Sequence, residues 1–306
     1  MSFFENGIKA KVMSTQLIIE ANVSKKILFE ALEWSKKFEA TFSAYNEKSL
    51  LCKVNQNAGL KPVVCSSEDL ELFTKALEMA EMSHGIFDPT VGALSQGLYG
   101  FGKKSAKIPT YKELQSAKKL VNYKNFIINQ REVYLKEKGM KLDFGGIGKG
   151  FVADKIINYL QTKGATKALV NVGGEIATFG KKYNIAIKDP YSKGNLAIVK
   201  TLHSPLCIST SGDYERFIAS KKNHHILDNK TAKQNHYYSS VTIIQNGIDC
   251  TLLDAVATIV FNTSQEFLKN ISQKYGVAII AVVESGKIYF ENFKSINIES
   301  VELFAL

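Results

Sequence analysis

"LDFGGIGKGFVADKII" occupies residues 142–157, and four of its first nine residues are glycine, with Lys149 among them. The apolar lead-in reads as a strand entering a turn. Val152, Ile156 and Leu160 then recur at helical spacing, which predicts a helix from about residue 150 to residue 163, stopped by Gly164. Backbone N–H groups point outward where a glycine-rich turn enters a helix, so such a turn often holds an anion. Two familiar versions fail here. A phosphate loop ending at Gly148-Lys149 needs glycine where Asp143 stands and Ser or Thr where Gly150 stands. A dinucleotide fingerprint begun at Gly146 needs glycine at Phe151.

The surrounding pattern mixes strands and helices without a regular βαβ rhythm, which predicts an α+β fold. Strands are expected at 16–23 ("QLIIEANV"), 167–174 ("KALVNVGG"), 183–190 ("YNIAIKDP"), 239–245 ("SSVTIIQ") and 277–283 ("VAIIAVV"). The last closes as a hairpin through Ser285-Gly286. Helices are expected after the cap Ser24, after Ser66 with Asp69 at capping-box spacing, and over the apolar run 251–262 ("TLLDAVATIVFN"). Residues 263–266 ("TSQE") read as a capping box for one more helix. The 306 residues suffice for one large domain or two modest ones with a real core.

Composition removes several function classes. Apolar residues make up 45% of the 306, yet no apolar run approaches the ~18 residues of a membrane span. The net charge of +10 invites a nucleic-acid reading, but only Arg131 and Arg216 are arginine and the lysines are scattered. Specific base readout leans on arginine, so no nucleic-acid partner is expected. Cys52, Cys65, Cys207 and Cys250 form no C-x-x-C pair, and His203 four residues before Cys207 does not complete a zinc site. The start of the chain carries neither an export signal nor a lipid-attachment cysteine, so a cytoplasmic location is expected for the chain as given.

Five stretches carry polar residues in apolar company. They are "GIFDPTVG" with Asp88, the glycine stretch itself, "STSGDYERF" at 209–217, "HHILD" with His224 and His225, and "LLDAVAT". The last is the sharpest. Asp254 and Thr258 lie four apart on an otherwise apolar helix and so share a face. A buried carboxylate is costly alone, so a basic partner, a cation or a local backbone group should meet it. A carboxylate plus a hydroxyl are hard oxygen ligands that suit Mg²⁺.

Taken in order, these stretches resemble the ApbE family of FAD:protein FMN transferases. The resemblance runs from "VMSTQ" through "FSAYNEKSLLCKVNQNAG", "GIFDPTVGALSQGLYGFG", "LDFGGIGKGFVADKI", "ALVNVGGEIATFG", "IAIKDP" and "CISTSGDYERF" to "HHILDNKTAKQ" and "LLDAVAT". It implies an α+β fold of two interleaved subdomains with FAD between them. It also implies Mg²⁺-dependent cleavage of FAD, with FMN passed to a Ser or Thr of a target flavoprotein and AMP released. Met13, Tyr45, Ile86, Phe87, Asp88, Lys149, Phe151, Asp154 and Ile226 would contact the flavin cofactor. Gly148 (through its carbonyl), Asp254 and Thr258 would hold the metal, and His225 would be the general base. Tyr45 falls where transferases of the family resemble one another in carrying an aromatic, which favours transfer over hydrolysis.

The implied partners are respiratory electron-transfer subunits or flavinylated reductases, and self-modification is not expected. A membrane location follows only for a lipidated longer precursor, the periplasmic lipoprotein alternative. The other readings are an FAD pyrophosphatase and a non-catalytic FAD-binding protein. Some positions depart from the family pattern. Ser14 stands for a glycine in "MST", Tyr99 for a tryptophan and Glu175 for an aspartate. "DNKTAKQ" (228–234) replaces Asp-Pro-x-Thr-Gly, which predicts a loosened turn.

Overall fold

A computed structural model describes residues 1–4 and 7–304. The architecture is α+β, with two compact units assembled from interleaved segments. One unit comprises Met1–Glu39, Ile147–Gly212 and Tyr237–Leu306, and the other Ala40–Gly146 and Asp213–His236. Among the described residues no helix is long and apolar enough to cross a membrane.

The first unit is built on a nine-stranded sheet. Its spatial order is Ser2–Phe4, Gly7–Val12, Thr15–Ala21, Ala168–Val172, Glu175–Phe179, Leu206–Gly212, Ser240–Asn246, Ala278–Val282 and Ile288–Glu291. Every neighbouring pair is antiparallel. A three-stranded sheet (Ile298–Leu303, Asn195–Thr201, Asn184–Lys188) packs on one face. Ile185, Ile187, Leu196 and Val199 meet Ile176, Ile208, Ile244 and Ile280 there. The helices Gly148–Thr162 and Cys250–Phe261 cover the large sheet as well. The strand Ala278–Val282 is buried at every position rather than alternately, which is why "VAIIAVV" reads as one continuous run.

The second unit carries the helices Leu50–Gln56, Ser67–Met82 and Tyr111–Lys118, with two small sheets. Phe73 anchors it, with ring centroids 5.7 Å from Phe42, 5.3 Å from Phe144 and 6.3 Å from Phe126. A second apolar cluster joins Leu94, Tyr99, Phe101 and Leu114 to Leu227 and Ala232.

Three sequence expectations need correction. The lead-in at 141–144 is not a strand; only Lys141 makes an isolated parallel bridge, to Val91. The Asn55 side chain occupies the main chain instead, accepting from Leu142 N at 2.7 Å and donating to Leu142 O at 3.1 Å. The "TSQE" capping box does not form. Thr263 Oγ1 donates back to Ile259 O at 2.7 Å, and a 3-10 turn, Gln265–Phe267, precedes the helix Leu268–Tyr275. The "DNKTAKQ" turn is closed rather than loosened. Asp228 accepts from Lys230 N and Thr231 Oγ1, each at 2.9 Å. Asn229 Nδ2 donates to Gly85 O and Ile86 O, at 3.2 and 3.0 Å. The asparagine amide thus replaces the stiffness of a proline with two bonds to another loop.

The two-residue hairpin Met13-Ser14 joins Gly7–Val12 to Thr15–Ala21, with φ of 53° and 61°. Both residues are in the left-handed region that such a turn requires, and Ser14 is exposed there. A left-handed non-glycine residue costs roughly 1–2 kcal/mol. Ser14→Gly should therefore raise the urea-unfolding free energy, by up to about 1 kcal/mol after the extra freedom of glycine in the unfolded chain is counted. An unchanged or lowered midpoint would show that the turn is not strained.

Candidate active site

The glycine stretch becomes a contact surface in the first unit. The helix Gly148–Thr162 starts against the start of the helix Cys250–Phe261. At Gly150 a Cβ would lie 2.1 Å from Cys250 O and 2.9 Å from Asp254 Cβ, so no other residue permits this approach. Gly150 N–H then donates to Asp254 Oδ2 at 3.0 Å, across 104 residues of sequence. Lys149, one residue earlier, donates to Asp254 Oδ1 at 3.1 Å and to Glu175 Oε1 at 2.7 Å. The buried Asp254 thus has both a basic partner and a backbone donor. Thr258 stands one turn further on, its hydroxyl donating to Asp254 O at 3.4 Å.

Glu175 opens the strand Glu175–Phe179 and is fully buried. Burial and the charge of Asp254 push its carboxyl up to about 7, against the pull of Lys149. The same two carboxylates raise the Lys149 ammonium despite the opposing effect of burial. Ser209 is near enough to favour the charged form of Glu175. Yet neither Ser209 Oγ nor Glu175 Oε2 has a partner in hydrogen-bond geometry.

Asp154 lies one turn along from Gly150. Its carboxylate accepts from Cys250 N at 2.7 Å, Thr251 N at 2.8 Å and the Thr251 hydroxyl, binding the open first turn of the second helix. Burial lifts it to about 6. Asp154, Cys207 and Cys250 also bring their ligand atoms within 4.8 Å of one another. Cys250 Sγ donates to Cys207 Sγ at 2.8 Å, and burial raises the Cys250 thiol well above its ordinary value. A Cys250 thiol kept protonated by burial and a carboxylate taken by three donors leave this group a helix cap beside two buried cysteines. Phe151 is buried, stacked on Phe38 at 5.6 Å.

The second unit assembles the other candidates. Asp88 lies in an Asp-Pro turn; Oδ1 accepts from Thr90 N at 2.8 Å and Thr90 Oγ1 at 2.6 Å, and Oδ2 from Tyr123 N at 2.9 Å. Burial raises its pKa against these bonds. Phe87 is buried and tied to Ser83, whose Oγ accepts from Phe87 N at 3.1 Å. Asn229 links the Ile86 carbonyl to the loop that begins at Ile226, which is itself buried. Tyr45 is 49% exposed and donates its hydroxyl to Phe101 O at 3.0 Å, holding the loop after Gly100.

The adjacent histidines have opposite surroundings. His224 is buried, its Nε2 at 2.9 Å from Asn235 O, and burial lowers it to about 4. His225 is half-buried, with Nδ1 at 3.1 Å from Arg216 O. A carbonyl only accepts, so Nδ1 carries the proton and Nε2 is the basic nitrogen.

Sequence reasoning found Asp254 and Thr258 from their spacing, and Gly148 and Lys149 from the family resemblance. It missed that Lys149 joins Asp254 to Glu175. The signal was the unusual residue after Gly173-Gly174, a glutamate inside a strand pattern. The residues fit a hard divalent cation. Asp254, the Thr258 hydroxyl and the Gly148 carbonyl are oxygen donors, and Glu175 Oε2 is a buried acceptor with no partner.

The ApbE family profile matches residues 10–281. The chain is 31% identical to an FAD:protein FMN transferase of Treponema pallidum over 276 residues, 83% of this chain and 75% of that protein. It is 26% identical to the Escherichia coli K12 FAD:protein FMN transferase over 260 residues, 80% and 73% of the two chains. The crystal structure of the ApbE protein from Thermotoga maritima superposes with a TM-score of 0.86 at 26% identity, covering 96% of this chain and 99% of that one. The Vibrio cholerae flavin transferase ApbE shares the fold, with a TM-score of 0.80 at 23% identity over 94% and 96%. With the glycine turn, the acidic helix and the His-Ile-Leu-Asp loop all present in one α+β fold, this chain belongs to the ApbE family.

Proposed function

We propose that the protein is a Mg²⁺-dependent FAD:protein FMN transferase that attaches FMN to a Ser or Thr hydroxyl of a target flavoprotein and releases AMP. The observation that carries this reading is the 3.0 Å bond from Gly150 N to Asp254, which brings the glycine-turn backbone to an acidic helix. The names of the relatives give the reaction class. Asp254, the Thr258 hydroxyl and the Gly148 carbonyl hold the cation. When bound, it neutralises pyrophosphate and stabilises charge on departing AMP.

His225 Nε2 takes the proton of the acceptor hydroxyl. The acceptor oxygen bonds to the FMN phosphorus, the P–O bond to the bridging oxygen breaks, and that oxygen leaves with AMP. His224, held neutral in the core, is poorly placed for this role. Met13, Tyr45, Ile86, Phe87, Asp88, Lys149, Phe151, Asp154 and Ile226 are proposed as the cofactor contacts. For Asp88 and Asp154 the contact must come without freeing the carboxylates from their structural bonds. The acceptor class, a respiratory flavin subunit or flavinylated reductase, and the compartment follow the same resemblance.

Intact-mass analysis of an acceptor protein incubated with FAD and Mg²⁺ tests the reading. Wild type should add one FMN per acceptor. Asp254→Ala should add none while remaining folded, and His225→Ala should slow transfer by roughly 10²–10⁴-fold. Full transfer by either variant, or greater damage from His224→Ala, would remove the corresponding role.

The aromatic ring of Tyr45 and its hold on Phe101 O keep one loop in place. Removing both should let water compete with the acceptor. Tyr45→Asn should therefore raise acceptor-independent release of FMN and AMP, measured by chromatography. Rapid release by the unmodified protein would favour a pyrophosphatase instead.

A further inference from the structure

The acids at this site differ from the lysine between them in one respect. Glu175 and Asp254 expose 1% and 2% of their side chains, whereas Lys149 exposes 26%. Glu175 is fixed on a central strand of the sheet, and Asp254 is pinned by the Gly150 N–H. Neither carboxylate can reach water without moving a core element. Lys149 is in the first turn of its helix, on a four-carbon stem with a path to solvent. Two buried carboxylates close together are tolerated with a cation between them or with one of them protonated. Among the described residues, Lys149 makes the ion pairs to both.

We infer that the Lys149 ammonium and a divalent cation compete for the Asp254–Glu175 pair, so that metal entry expels the lysine toward solvent and frees it to meet a phosphate. The inference rests on the reading of Asp254 as a metal ligand. A cation of charge +2 in contact with Asp254 repels an ammonium 3.1 Å from the same carboxylate. The mobile charge leaves, because the acids cannot. The unpartnered Glu175 Oε2 and Ser209 Oγ supply buried acceptors toward which the coordination or its water shell can extend. Glu175 thereby acts as a positioning residue, holding the lysine in place until metal arrives. The coupling makes the lysine available to an anionic substrate only on the metal-loaded protein.

Two measurements without FAD test this. The first is calorimetric titration with Mn²⁺ of wild type, Lys149→Met and Asp254→Asn. Lys149→Met should bind at least about tenfold tighter, because the competing ammonium is gone and the receptive state no longer has to be populated first. Asp254→Asn should lose binding. The second needs no variant. Reductive methylation of wild-type Lys149, followed by peptide mass spectrometry, should be slow in chelator and at least about fivefold faster with saturating Mn²⁺. Equal or weaker Mn²⁺ binding by Lys149→Met, or labelling that Mn²⁺ leaves unchanged or slows, overturns the inference. If Asp254→Asn binds like wild type, the metal reading falls and takes the inference with it. If Asp254→Asn loses Mn²⁺ but Lys149 labelling does not rise, the inference falls alone. Should Lys149→Met fail to fold, the wild-type labelling decides.

Discussion

The site depends on the absence of one side chain. Gly150 lets the first turn of one helix rest directly on the Cys250 carbonyl at the start of another, with 2.1 Å separating that oxygen from where a Cβ would be. Everything charged nearby follows from that approach. The Gly150 N–H reaches Asp254, Lys149 is carried to the same carboxylate, and Asp154 reaches the open backbone donors of Cys250 and Thr251. The glycine turn therefore does more than expose N–H groups to a ligand. It sets two helix starts in register, each supplying a polar group to the other.

Burying two carboxylates is unfavourable unless a positive charge meets them. Lys149 bridges Glu175 and Asp254, and the remaining acceptor of Glu175 is left without a partner. Ser209 lies near enough to Glu175 to favour its charged form, so the network extends to a buried hydroxyl as well. The contrast with the Asp154–Cys250–Cys207 group is instructive. There the carboxylate is taken by three donors and burial keeps the Cys250 thiol protonated, so the carboxylate is satisfied without a ligand. The two histidines repeat the distinction, His224 enclosed and neutral, His225 oriented by a backbone carbonyl.

Much of this was legible in the sequence because periodicity and burial agree. The apolar runs at 240–246 and 278–282 became central strands, and the Asp254/Thr258 spacing placed both on one buried helix. The failures have a common cause, in that a side chain captured backbone groups that local pattern assigns elsewhere. Asn55 bonds both main-chain groups of Leu142 and stops a strand from forming. Thr263 turns back to its own helix rather than capping the next. Asn229 stitches a turn that seemed to have lost its proline. The bonds of Asn55 and Asn229 join residues far apart in sequence, and nothing in a short window announces them. Glu175 escaped for the same reason, since its partner Lys149 lies 26 residues before it.

On the proposed reading, the backbone approach at Gly150 builds the cation site. Calorimetric titration of Mn²⁺ into Gly150→Ala tests it most directly, on protein first shown to be folded by circular dichroism. A methyl group there must push the two helix starts apart, at a cost of about 1–3 kcal/mol or more, and take Asp254 away from the turn. The predicted result is Mn²⁺ binding weakened by at least about tenfold, or roughly 1.4 kcal/mol. Wild-type affinity in a folded Gly150→Ala protein would show that the cation site forms without that approach.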